Sequence, residues 1–175
     1  MTALTVWRYD TPFGAEAGAV RLKSLAERKA LTVHDAITIA WMPQAQKPVI
    51  GHLKHSTAAT AGKGSILGGL VGMVVLAPLA GAAVGAGVAS AAARLRKSGI
   101  DEQFVEELGS QLTPGSSALL VLSSDGNLDE VRPAMERELK RGDVVLLHAE
   151  LSDDAPVAIV EAMEELRRAG GPAEP

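Results

Sequence analysis

Along the first quarter of the chain the spacing of apolar and polar positions changes from two to helical and back to two. Residues 4–9, Leu-Thr-Val-Trp-Arg-Tyr, combine branched and aromatic side chains and read as a strand. Thr11 and Pro12 then offer a helix cap and a first-turn proline. From 13 to 29, Ala15, Gly18, Leu22 and Leu25 recur at helical spacing while Arg21, Lys23, Glu27 and Arg28 fall largely elsewhere. This pattern predicts an amphipathic helix covering a sheet. Over 31–41 the chain alternates again, with Val33, Asp35, Ile37, Ile39 and Trp41 on one side and His34, Ala36, Thr38 and Ala40 on the other. A strand with one inward face follows, in which Asp35 is expected at the sheet edge or beside a base. Residues 49–53, after Pro48, fit a short hairpin partner.

The second half repeats the order. Ile100 before Asp101, with Val105 four residues beyond that aspartate, fits a capped helix with a hydrophobic staple, expected to end at Gly109. Residues 117–122 form an apolar strand. Asn127 with Glu130 resembles a capping box opening a helix through Leu128, Val131, Met135 and Leu139, bent by Pro133 and stopped by Gly142. Residues 144–148 make the next strand, 156–168 a last helix, and 170–175 a tail expected to be disordered. Strand, helix, strand, twice over, predicts an α+β fold of the ferredoxin-like sandwich type (βαβ-βαβ), with an extra C-terminal helix. The expected division is 1–55 for the first half, 56–97 for an insertion, 98–169 for the second half with its extra helix, and 170–175 for the tail.

The insertion breaks every pattern around it. Residues 65–93 carry no charge and are ruled by glycine and alanine, with Gly64, Gly68 and Gly72 four apart and then Gly81, Gly85 and Ala89 in the same rhythm. Four residues is about one helical turn, so each series lines small side chains along one helix face and lets a second backbone approach closely. Pro78 would kink or end a helix, which divides the segment into arms over 64–77 and 79–93, each about 21–23 Å long against a hydrocarbon core of about 30 Å. Lys54 and Lys63 precede the segment, and Arg94, Arg96 and Lys97 follow it, so both ends carry the charge that favours the cytoplasmic side. A hairpin turning at Pro78 satisfies both ends. The fold makes the same demand, because strands before and after the insertion belong to one sheet. Burial of the same hairpin between subunits of a soluble oligomer is the alternative, and either arrangement implies self-association.

Three stretches carry a resemblance. They are 62–72 (Gly-Lys-Gly-Ser-Ile-Leu-Gly-Gly-Leu-Val-Gly), 76–85 (Leu-Ala-Pro-Leu-Ala-Gly-Ala-Ala-Val-Gly), and 99–104 (Gly-Ile-Asp-Glu-Gln-Phe) followed by Pro114-Gly115-Ser116-Ser117-Ala118-Leu119. Together they resemble the bacterial domain-of-unknown-function family numbered 1269, over roughly 4–151. The resemblance implies a small membrane protein with no assigned activity and supplies no catalytic residue.

Composition narrows the function classes further. A net charge of −4, a pI near 5.6 and 3% aromatic residues leave no electrostatic footprint for nucleic acid and little to stack on bases. With no cysteine, thiolate chemistry and cysteine-ligated metal are excluded. Residues 1–9 lack the basic, apolar and small-residue succession of a secretory signal, so residence on the cytoplasmic side is expected. Ala61-Gly62-Lys63-Gly64-Ser65 invites a phosphate-loop reading, but Thr57 stands where that loop needs glycine and Gly64 separates Lys63 from Ser65. His52 and His55 lie in extended chain or loop and read as solvated. Asp101, Glu102, Glu106 and Glu107 read as a helix start and its wet face. Ser123-Ser124-Asp125-Gly126 reads as a turn with no base placed to activate a serine.

The sequence therefore predicts a nonenzymatic, homo-oligomeric membrane-associated protein without cofactor or metal. Gly64, Gly68, Gly72, Gly81, Gly85 and Ala89 would serve helix packing, Pro78 the turn, and Lys63, Arg94, Arg96 and Lys97 the lipid headgroups. A soluble oligomer that binds a small ligand on its sheet is the alternative.

Overall fold

The computed structural model describes residues 2–53, 66–71, 93, 96–142, 144–152, 154, 155, 157 and 161. It is a mixed α+β structure built on one five-stranded antiparallel sheet. The strands are β1 (Thr2–Tyr9), β2 (Thr32–Ala40), β3 (Val49–His52), β4 (Ser117–Ser124) and β5 (Val144–Leu151), in the spatial order β3-β2-β4-β1-β5. The helices are α1 (Gly14–Glu27), α2 (Ile66–Val71), α3 (Glu102–Gln111) and α4 (Leu128–Arg141).

Both faces of the sheet are covered, so the alternation of side chains feeds two cores. Leu4 and Val6 of β1, Ile37 and Ile39 of β2, and Leu120 and Leu122 of β4 point to one side, where they meet Leu67, Leu70 and Val71 of α2 and Phe104 and Leu108 of α3. Trp7, Tyr9, Leu119, Val121 and Val144 point to the other, against Ala15, Ala19, Leu22 and Leu25 of α1, with Val131 and Ala134 of α4 at the margin. The apolar stripe read on α1 is the face it buries. The expectation of a single inward face for β2 does not hold, because α2 seals the second side.

The register of β2 against β4 slips between Val33 and Asp35, leaving His34 as an extra residue. Val33 consequently joins the α1 side while Ile37, Ile39 and Trp41 join the other. β2 lies inside the sheet, with Asp35 before the residues that β3 pairs, and the half-buried Asp35 Oδ2 accepts the Leu67 backbone N–H of α2 at 2.9 Å. That bond satisfies one of the amides a helix start leaves without an internal partner.

Helix starts elsewhere follow the same need. At α1 the expected Thr11 cap is displaced, for the helix opens at Gly14 and Phe13 makes no capping bond of its own. Ser117, fully buried at the start of β4, accepts the Ala15 N–H at 3.0 Å and donates to the Thr11 carbonyl at 2.6 Å. Asp101 caps α3 as read, its Oδ1 accepting the Phe104 N–H at 2.8 Å, although the helix continues past Gly109 to Gln111. At α4 the capping box is altered. Asn127 Oδ1 accepts the Asp129 N–H, its side-chain amide donates to Glu130, and its backbone N–H is taken by the Ala30 carbonyl at 2.7 Å. The helix runs through Pro133 and closes at Gly142, whose φ of 75° suits a residue without Cβ.

Ala155, fully buried on the α2 and α3 side, and Val157 and Glu161 are helical. The remainder of the expected C-terminal helix, the tail, and most of the Gly/Ala-rich segment lie outside the described residues.

Candidate functional site

The α1 side of the sheet is not filled evenly. Register across the three neighbouring strands stacks side chains in rows: Trp7 stands opposite Leu119 and Leu146, Thr5 opposite Val121 and His148, and Ala3 opposite Ser123 and Glu150. Going from the first row to the third, bulk falls and polarity rises. A cavity of about 460 Å³ opens over these rows, walled by Leu22 of α1, Leu31 beyond it and Val131 of α4. This lies within the range of small-molecule sites, roughly 300–1,000 Å³.

The end of α1 helps define the wall. Lys29, at φ 59°, sits in the left-handed conformation that closes a Schellman motif, with Ala30 N–H on the Leu25 carbonyl and Lys29 N–H on that of Ala26. Ala30 in turn receives the Asn127 N–H, which ties the turn after β4 to the turn after α1. Leu31 and Asp125 are thereby set on the same cavity.

Its polar end is organised. Thr5 Oγ1 and His148 Nδ1 lie 3.3 Å apart across neighbouring strands. Ser124 Oγ donates to Asp125 Oδ2 at 2.8 Å and lies 2.8 Å from His34 Nε2. A serine hydroxyl has one proton and a carboxylate can only accept, so His34 donates from Nε2 to the serine oxygen. The sequence reading missed this imidazole, because the bulge at His34 is what brings it to the end of β4. The arrangement holds the serine by its own proton and does not pass that proton to the histidine. Asp125 and Glu150 give the cavity an acidic rim, and among the described residues no lysine or arginine lines it.

The other candidate is the root of the Gly/Ala-rich segment. Gly68 is buried in α2, on the side of the helix that also carries Leu67 and Val71. Arg96 and Lys97 are exposed, with Arg96 Nη1 3.8 Å from Glu102 Oε2. The chain between them starts and ends in the same core, since Val71 and Ile100 both belong to the cluster beneath α2 and α3. Gly99, at φ 100°, makes the final turn into that core, and a Cβ there would strike the Glu150 carbonyl of β5. Lys63, Gly64, Gly72, Pro78, Gly81, Gly85, Ala89 and Arg94 lie outside the described residues, as does His55. Among the described residues no helix is long and apolar enough to cross a membrane, and no group of histidine and acidic side chains is disposed to hold a metal ion.

Residues 61–164 match the family described as "Protein of unknown function (DUF1269)". The match takes in the Gly/Ala-rich segment, α3, β4, α4 and β5, and leaves out β1, α1, β2 and β3, which the resemblance had included. No curated protein and no solved structure gives a match.

Proposed function

The chain belongs to the DUF1269 family, and from that premise we propose that it is a nonenzymatic protein of the cytoplasmic membrane face. Its α/β domain is the platform, and the segment between Val71 and Arg96 self-assembles as a glycine-zipper hairpin. One observation carries the reading. Val71 and Ile100, on either side of the segment, are 0% and 1% exposed in one cluster on one face of the sheet. A segment anchored at both ends in one core leaves and returns on the same side, as a hairpin requires and a single straight span does not. The strand order β2-β4-β1-β5, with β3 as an added edge and α1 and α4 sharing a face, supports a ferredoxin-like sandwich interrupted by that hairpin.

The burial of α2 refines which residues do what. Leu67, Leu70 and Val71 spend their apolar surface on the sheet, so Gly68 serves the platform, and the small faces left for a partner are those of Gly72, Gly81, Gly85 and Ala89. Pro78 sets the turn. Arg96 and Lys97, exposed at the re-entry point, would meet anionic headgroups together with Lys63 and Arg94.

The test uses the intact chain. Gly81→Leu with Gly85→Leu should lower the native mass in detergent while leaving the far-ultraviolet circular dichroism of the α/β domain unchanged. Arg96→Gln with Lys97→Gln should weaken recovery on anionic vesicles by about fivefold per charge at low salt, following about 1 kcal/mol for each basic residue at the surface. Unchanged mass in the glycine variant, or a defined oligomer in plain buffer that ignores vesicles, would overturn the proposal in favour of the soluble alternative.

A further inference from the structure

The assembly proposed above makes no use of the cavity on the α1 face, yet that cavity is built with a chemical direction. Its inner end is lined by Trp7 and Leu146, and Leu146 remains 42% exposed there, an apolar side chain facing unfilled space. Its outer end is held by Thr5, Ser123 and His148 and rimmed by the Asp125 and Glu150 carboxylates. A ligand that fits both ends has an apolar body and a positively charged hydrogen-bond donor. Anions are disfavoured, because two carboxylates stand at the polar end with no lining lysine or arginine among the described residues. Polyhydroxylated ligands are disfavoured by the apolar floor.

We propose that this cavity is a binding site for a small organic monoamine, with its ammonium between Asp125 and Glu150 and its apolar body against Trp7 and Leu146. The hydroxyls of Thr5 and Ser123 lie between these ends, where they can accept from the same ammonium or from a substituent beside it. Asp125 keeps its orientation through Ser124, whose hydroxyl occupies Oδ2 and is itself held by His34, and its other oxygen is the one we assign to the ligand. The inference is independent of the membrane reading, since the site lies on the opposite face of the sheet from α2 and α3.

The experiment titrates the intact, isotope-labelled chain with 2-phenylethylamine, 2-phenylethanol and 3-phenylpropionate, reading backbone amide shifts at Thr5, Ser123 and His148. The amine should produce saturable shifts and bind about tenfold or more tightly than the alcohol, as a charge-assisted hydrogen bond implies, and the carboxylate should not bind. Asp125→Asn combined with Glu150→Gln should erase the preference for amine over alcohol. Asparagine tolerates the left-handed backbone at Asp125, where φ is 55°, so this pair tests charge without removing the turn. Ala3→Leu, which fills the outer row, should abolish binding of both compounds while the amide spectrum stays dispersed. No saturable shift with the amine in the folded chain would overturn the proposal. So would carboxylate affinity equal to that of the amine, a preference that survives in the double variant, or binding indifferent to Ala3→Leu.

Discussion

At the scale of single residues, Ser117 is the side chain on which the two halves of the chain depend most directly. It is fully buried, it caps α1 by accepting the Ala15 N–H, and it returns its own proton to the Thr11 carbonyl, linking positions separated by more than half the sequence. Its neighbour Ser116 locks the preceding turn by bonding both the N–H and the carbonyl of Thr113, while Gly115, at φ 94°, donates to the Trp41 carbonyl. The Pro-Gly-Ser-Ser-Ala run that carried the family resemblance is thus a piece of structural carpentry. Removing the Ser117 hydroxyl leaves the buried Ala15 N–H without its acceptor, while the Thr11 carbonyl keeps the Gly14 N–H, and the orphaned donor costs about 1–3 kcal/mol. Ser117→Ala should therefore lower the unfolding free energy obtained from urea titration by that amount. Phe13→Ala, at the formal N-cap position but 62% exposed, should move it by less than about 0.5 kcal/mol. Equal effects for the two would mean that α1 is not capped from β4. Nothing local to residues 11–14 signals this arrangement, because the cap comes from a strand that the sequence presents simply as apolar.

At the scale of elements, most strands and helices were legible, and the exceptions have physical reasons. Alternation marked β2 correctly but gave no sign of the bulge, since an extra residue in the ladder leaves the local composition untouched; what it changes is which face Val33 and His34 occupy. The helix starting near residue 66 was legible as apolar and small-faced. Its partner was not, because a lipid interior and a protein core select the same leucines and valines. Coordinates assign Leu67, Leu70 and Val71 to the sheet, and Asp35, the one charged residue in the apolar series of β2, marks where the helix docks. Asp35→Ala should release that start, with a loss of about 0.5–2 kcal/mol typical of a removed cap. Hydrogen exchange is the discriminating measurement. The Leu67 amide should lose protection well before those of Ile37 and Leu120, and uniform loss across the sheet would show that Asp35 supports the strand and not the helix. The cavity was the least legible feature, for it is assembled from β1, β4 and β5. Only after register is known do Thr5 and His148, two polar interruptions in apolar strands, become a pair.

At the scale of the whole molecule the two halves are interleaved, and this determines what the family-matched region can do alone. In the order β2-β4-β1-β5, strands of the first half alternate with strands of the second: β1 pairs with β4 on one side and β5 on the other, while β2 reaches the sheet through β4. The match over 61–164 contains β4 and β5 but not the strand between them. Severed from 1–60, those two strands would expose their ladder groups along the gap, and Leu120, Leu122 and Leu147 would lose Leu4 and Val6 from their core. A chain of residues 61–175 should accordingly give a poorly dispersed amide spectrum and no cooperative thermal transition. Mixing it with a separate 1–60 chain should restore both, because the cut falls between β3 and α2 and removes no strand pairing. The restored complex should unfold in one transition whose midpoint rises with concentration, since association and folding are then the same event. A 61–175 chain that folds by itself would contradict the interleaving and make the family-matched region an autonomous domain.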